Sequence, residues 1–379
     1  MRNIPYISQR NASLTPNPNL YHLPPLSEFE DPILLPVTDI RPSLQLGDQS
    51  PYKLSVHGFT GRYAPSQLHG SPYTPDSWNN KELIKAIYIP EVEELVKRIS
   101  GCTNAIVESA VLRNNLHSEV DVHADVRSAA DFEEDDSGPC PRIIGFNNAG
   151  GASPAPKVHL DFSPLGARTH IRKYHRNLAL AAKDIIMAEN RLLNAGVTSD
   201  QLKDYYYRKD GGCGIPRFAL FSVWRPLKTV RRDPLAVASC VNFPLADLVS
   251  VDLVQPSEPN IPPELSKMSN DPTSNPSKFA AAEESSHFSG SYLAYCPSEE
   301  TRRGHDWHFI SNQEPEDVLL IQLFDSEMEA RVGEGNKAHE KPNGNAVLAG
   351  TVHSAFELAN QSNTAEARES IEVRVLATW

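Results

Sequence analysis

The sequence predicts a mainly β protein, a sandwich or jelly roll flanked by helices. Short runs rich in β-branched and aromatic residues crowd the second half, from "RFALFSVW" at 217–224 to "SIEVRVLAT" at 370–378. The strongest helical periodicities lie earlier in the chain. Nowhere do strands and helices alternate as parallel βαβ units require.

Taken in order, residues 1–50 hold many of the 31 prolines, as in "PNPNLYHLPPLSEFEDPILLPV". Fixed φ and missing amide donors predict an extended arm, followed by one domain over 51–379. "PYKLSVHGFTGRY" (51–63) reads as a strand and a turn. "NKELIKAIYIPEVEELVKRISG" (80–101) reads as a helix in two pieces divided at Pro90, with Lys97 and Arg98 in its last turn and Gly101 beyond. "CTNAIVESAVLRNN" (102–115) reads as a strand. Residues 128–157 read as a long loop, with the acidic run 131–136 as a solvated stretch, and Pro-rich 254–290 as another. A helical insertion is expected over about 173–210: "YHRNLALAAKDIIMAENRLLNAG" (174–196) has apolar residues at 3–4 spacing and Gly196 as its cap, and "TSDQLKDYYYRK" is a short second helix capped by Ser199 or Asp200. Strands are then expected at 217–224, 235–241, 307–311, 317–324, 346–353 and 370–378.

Composition narrows the function. A net charge of -12 argues against nucleic acid, whose phosphates need clustered Lys and Arg. No stretch approaches the roughly 20 apolar residues of a membrane helix, and the first residues show no apolar signal core, so the expected location is cytoplasmic. The five cysteines are odd in number and form no CxxC, which fits a reducing compartment. There is no GxSxG motif, and no cysteine neighbours a histidine in a recognisable catalytic pattern.

"VHLDFSP" (158–164) carries the chemistry. Successive strand side chains alternate faces, so His159 and Asp161 point the same way and can be adjacent ligands of one metal. "GTVHSAF" supplies a third ligand, His353, from another strand, where Val347, Ala349 and Thr351 would share its face. Two His and one carboxylate on one side of an ion form the facial triad of non-haem Fe(II) oxygenases, with three positions left open. "VHADVR" (122–127) offers a competing pair, His123 and Asp125. Arg368 and Ser370 in "ARESIEVR" again lie two apart on one strand face, and an Arg fork with a hydroxyl can hold a carboxylate. A 2-oxo acid chelating iron needs such a cation at its far end.

The chain resembles the fungal AsaB hydroxylase/desaturase family, which includes gibberellin desaturases. The matching residues are "HGF" (57–59), "YIPEVEELVKRISG" with "VLR" (111–113), "VHLDFSPLGARTHIR" (158–172), "VWRPL" (223–227) with "DPLAVAS" (233–239), "WHFI…EPEDVLLIQLFDSE", "VHSAF" and "RESIEVRVL". They cover roughly 50–379 in the family's order. The resemblance implies a double-stranded β-helix (cupin-like jelly roll) oxygenase using Fe(II) and 2-oxoglutarate. It implies iron at His159, Asp161 and His353 rather than at His123, and 2-oxoglutarate at Arg368. Departures stand at Ser222 and Ser239, where relatives carry Asn and Asp, and both positions could contact substrate.

Other residues admit two readings. Arg225 and Arg113 are candidates for binding a substrate carboxylate, or for a strand-end charge and a structural ion pair. His170 and His175 read as surface or capping histidines, and "HDWHF" (305–309) as a half-buried strand. The expected activity is oxidation of a small molecule with O₂ (hydroxylation, desaturation or cyclisation) in secondary metabolism, by a monomer or homodimer. The alternatives are the same triad working without 2-oxoglutarate, a zinc hydrolase, and a metal-binding jelly roll without turnover.

Overall fold

The computed structural model describes residues 2–4, 6, 29, 33–116, 142–146, 151–173, 175–206, 214–254, 287–335, 348–359, 361–362 and 365–379. The competing pair His123 and Asp125, the acidic run 131–136 and most of the two long loops lie outside them. The strands, in chain order, are β1 (Arg2–Ile4), β2 (Ile33–Leu35), β3 (Val37–Asp39), β4 (Phe59–Tyr63), β5 (Asn104–Arg113), β6 (Arg142–Ile144), β7 (His159–Leu160), β8 (Phe218–Pro226), β9 (Leu235–Ala238), β10 (Leu248–Val254), β11 (His287–Ala294), β12 (Trp307–Phe309), β13 (Asp317–Asp325), β14 (His353–Ala355) and β15 (Ser370–Thr378).

Two sheets hold nearly all of them. One has the order β4-β13-β8-β15-β5-β6, the other β10-β11-β7-β14-β9-β12-β3. From β5 onward the chain shuttles between them. β5, β8, β13 and β15 fall in the first sheet, and β7, β9, β12 and β14 in the second. That interleaving is a double-stranded β-helix, with β10–β11 as an added hairpin on the second sheet.

The first sheet is buried on both faces, so its strands read as nearly unbroken apolar runs rather than alternating ones. One face, with Phe221, Val223, Val373 and Val375, packs under the helix Ile89–Ser100 through Val92, Leu95 and Val96. The other, with Phe218, Leu220, Trp224 and Leu376, faces the second sheet together with Phe59 and Val237. Each of these large side chains contributes roughly 1.5–3 kcal/mol by leaving water.

The helix over 81–100 passes Pro90 through a π turn at Ile84–Tyr88, because proline has no amide for the α-helical bond. It ends at Gly101, whose φ of 73° is left-handed and whose N–H reaches Lys97 O at 2.9 Å.

Several elements depart from the sequence expectation. The helical insertion begins earlier, at Pro164, and runs as Pro164–Lys173, Arg176–Ala181 and Lys183–Asn194. The first of these was unreadable because its polar residues face inward: Arg168 pairs with Glu189 and Glu329, and Arg172 with Glu189, all buried. Gly166 brings this helix against β11 so closely that a Cβ there would lie 1.9 Å from Gly290 O. Thr198, not Ser199 or Asp200, caps the short 3₁₀ helix after it, with Gln201 Oε1 accepting from its N–H. The N-terminal segment is more integral than its prolines suggest. Ile40 and Leu44 enter the core between the sheets, and β3 extends the second sheet beside β12. Of the strand expected at 346–353, residues 346 and 347 lie outside the described residues, 348–352 are not strand and the strand is His353–Ala355, while Leu54–His57 forms a helical turn before β4.

Candidate metal centre

His159 and His353 are direct partners in the β7–β14 ladder, so both rings project from the second sheet toward the first. Their centroids stand 4.3 Å apart. Asp161, two residues on, turns Oδ1 between them, 3.3 Å from His159 Nε2 and 3.6 Å from His353 Nε2. One donor atom from each of the three lies within 4.8 Å of the others, and no other trio of His, Cys, Asp or Glu does so among the described residues. Cis ligands held about 2.1 Å from a metal lie about 3 Å apart, so small adjustments would close this set around an ion.

The second nitrogens are spoken for. His159 Nδ1 lies 2.6 Å from Lys157 O and His353 Nδ1 lies 3.0 Å from Thr351 O. A carbonyl can only accept, so Nδ1 carries the proton in both rings and Nε2 presents its lone pair to the centre. Burial, then the neighbouring His159, lowers the His353 pKa to about 4, which keeps the ring neutral. Burial acts to raise the Asp161 pKa. The Arg374 guanidinium outweighs it and holds the carboxyl well below its usual range. Two neutral imidazoles and one carboxylate are the protonation states that ligation requires.

A local device steadies the strand before His353. Gly58, at φ 77°, sits where a Cβ would lie 2.2 Å from Thr351 Oγ1, and Thr351 Oγ1 donates to Gly58 O at 2.7 Å. Gln322 N–H donates to the same carbonyl. The "HGF" turn thus fixes the residue two before a ligand position.

Arg368 is buried beside Trp224, its guanidinium 5.1 Å from the indole. Nη1 donates to Asp233 O, but Nε and the nearby Ser370 Oγ have no hydrogen-bond partner among the described residues. Burial, then the charge of Arg113, pushes the Arg368 pKa down to about 9. This is a desolvated cation whose Nε has no partner among the described residues. Along β15, Ser370, Glu372 and Arg374 alternate onto the same inner face.

The two candidate substrate contacts separate. Arg225 leaves β8 on the opposite face, where it donates to Tyr88 Oη, Pro315 O and Ala64 O. It is a tie between the sheet and its helical cover, outside the metal centre, because the β8 alternation that turns Trp224 inward turns Arg225 outward. Arg113 faces inward but is paired with Glu372 at 3.0 Å and donates to Ser153 O. His170 and His175 are buried rather than at the surface and share Glu108, at 2.8 and 3.2 Å, while His175 does stand at the N-cap of Arg176–Ala181. Within "HDWHF", Trp307–Phe309 is buried on both faces while Asp306 is exposed, and His308 lies in the same cross-strand row as Val237 and His353.

Sequence reasoning missed Arg374, whose Nη2 donates to Asp161 Oδ2 at 2.6 Å. The available signal was its place six residues after Arg368 on the alternating inward face.

A family model described as "Oxidoreductase/YMDC permease-like domain" matches residues 15–195 and 295–378. No helix among the described residues is long and apolar enough to cross a membrane. The oxidoreductase chry3 of Gibberella zeae is 49% identical over 377 residues, covering 98% of this chain and 96% of that protein. The gibberellin cluster GA4 desaturase of Gibberella fujikuroi is 28% identical, covering 90% and 86%. Among solved structures, the iron and alpha-ketoglutarate-dependent endoperoxidase NvfI superposes with a TM-score of 0.52 at 18% identity, covering 100% of this chain and 97% of that one, which shows the shared fold. With its double-stranded β-helix, its His–Asp–His cluster and a relative at 49% identity along its length, this chain belongs to the fungal hydroxylase/desaturase (AsaB) family of oxidoreductases.

Proposed function

We propose that this enzyme is a non-haem Fe(II)/2-oxoglutarate-dependent dioxygenase that oxidises a small molecule of secondary metabolism, with His159, Asp161 and His353 holding the iron and Arg368 and Ser370 the far carboxylate of 2-oxoglutarate. Two features support the reading. A trio of two imidazoles and a carboxylate meets an ion's needs, and the buried Arg368 Nε and Ser370 Oγ have no hydrogen-bond partner among the described residues. Relatives named alpha-ketoglutarate-dependent dioxygenases and hydroxylase/desaturases support the same reading.

Iron with 2-oxoglutarate would supply O₂ activation, the cosubstrate leaving as succinate and CO₂. The chain's own contribution is placement. His159 and His353 keep their lone pairs on one side of the centre, and Asp161 adds one negative charge there. Arg368 and Ser370 would fix the cosubstrate's remote carboxylate, and the apolar walls around Trp224 and Val237 exclude water. Cys102 and Cys240 are buried thiols outside any disulfide, which fits a cytoplasmic setting. Monomer and homodimer both fit this reading.

The test is coupled turnover. Purified protein given Fe(II), ascorbate and 2-oxoglutarate should release succinate, and His159→Ala should abolish the release. Unchanged release in His159→Ala overturns the assignment.

A further inference from the structure

We propose that Arg374 is a positioning residue that holds Asp161 to coordination through a single oxygen and so keeps a third position on the metal open. The inference rests on the iron reading above. Its basis is the division of labour within one carboxylate. Oδ1 of Asp161 faces both imidazole Nε2 atoms, at 3.3 and 3.6 Å, whereas Oδ2 takes a 2.6 Å hydrogen bond from Arg374 Nη2. A carboxylate with both oxygens free can chelate a cation. One whose second oxygen is bound to a guanidinium can offer only the first.

The clamp is built into the barrel. Arg374 sits on β15 in the first sheet and Asp161 follows β7 in the second, so the ion pair crosses the cavity between them. Both side chains are buried, which makes the charge-assisted bond stronger than a surface one. Glu372, two residues back on the same face, lies 3.9 Å from Arg374 Nε and is itself held by Arg113 at 3.0 Å. Arg113–Glu372–Arg374–Asp161 is thus a continuous row of alternating charges ending at a ligand. Arg368 lies two residues before β15, so this strand and its lead-in would serve both the remote carboxylate of the cosubstrate and the geometry of the metal.

The consequence is chemical. A facial triad leaves three positions, and a bidentate cosubstrate with O₂ uses all of them. An Asp161 free to swing and chelate would occupy one of those positions.

The experiment counts water on Mn(II) bound to the apoprotein by water-proton relaxation, which requires no turnover and no substrate. Wild type should carry about three exchangeable waters. Arg374→Met should carry one fewer and bind Mn(II) more tightly, because the carboxylate gains a second bond to the ion and a neighbouring cation is gone. Arg374→Gln, uncharged and shorter in reach, is the second variant should the Met form not fold, with the same expected direction. Wild-type hydration and affinity in a folded variant, checked by its melting curve, would overturn the proposal: a merely structural tie would lower the melting temperature and leave the water count alone. Wild-type protein that takes up no Mn(II), or His159→Ala that binds as wild type does, would overturn the iron reading itself.

Discussion

His159 stands directly opposite His353 in the β7–β14 ladder, and each ring donates through Nδ1 to the carbonyl two residues before it. Two residues separated by most of the domain in sequence thus present the same nitrogen to the same point. A ladder only a few residues long does this work.

The first prediction follows from that equivalence. His353→Ala and His159→Ala should each abolish succinate release and weaken Fe(II) binding by at least about 100-fold, beyond the 10–100-fold typical of an outer-shell change. Equilibrium dialysis with Fe(II) under anaerobic conditions checks this.

Arg368 supports a sharper test. A buried cation with unmet donors destabilises the empty protein and is compensated by a bound anion. Adding 2-oxoglutarate at 100 times its Kd should stabilise the metal-loaded wild type by about 2.7 kcal/mol. Arg368→Met should lose that ligand-dependent shift while its empty form melts at or above the wild-type temperature. Thermal unfolding with and without 2-oxoglutarate reads both effects.

Arg225 should behave in the opposite way. Its removal leaves Tyr88 Oη, Pro315 O and Ala64 O without their donor in a buried place. Arg225→Met should therefore cost about 3 kcal/mol in urea unfolding, at 1–3 kcal/mol per orphaned group less relaxation. The KM for 2-oxoglutarate should stay at the wild-type value.

The pH dependence of the metal-free protein has a definite sign. His353 titrates near 4 in the folded state and near 6.5 when unfolded, so between those values the unfolded chain binds more protons. Its contribution is present in full above about pH 6.5 and is lost progressively toward pH 4. Asp161, whose folded pKa is also depressed, adds a further loss only below about pH 4, as the unfolded carboxyl protonates. Denaturant midpoints measured from pH 7 to pH 4 should fall, and His353→Gln should flatten the upper part of that fall.

Much of the centre was legible in the sequence because strand alternation is a strong rule. It places His159 with Asp161, and only the meeting of that pair with His353 required a fold. The resemblance to a known family supplied that fold, and the interleaved strand order bears it out. What was not legible has one physical cause: buried charge. Arg168, His170 and Arg172 make the helix Pro164–Lys173 look like a surface segment, because a pattern of polar residues carries no sign of the Glu189, Glu329 and Glu108 that neutralise it. Arg374 in "SIEVRV" was passed over for the same reason, since its inward place on the strand carries no sign of the Asp161 it pairs with. Arg225 was ambiguous because an Arg at a strand end reads alike whichever face it takes.

The most direct measurement of the central claim is anaerobic visible spectroscopy of the Fe(II)-loaded protein as 2-oxoglutarate is added. Chelation of ferrous iron by a 2-oxo acid should give a metal-to-ligand charge-transfer band that saturates at one equivalent, shifts to a higher half-saturating concentration in Arg368→Met, and is absent in His353→Ala. A wild-type protein that binds Fe(II) yet shows no band at any 2-oxoglutarate concentration would contradict the account.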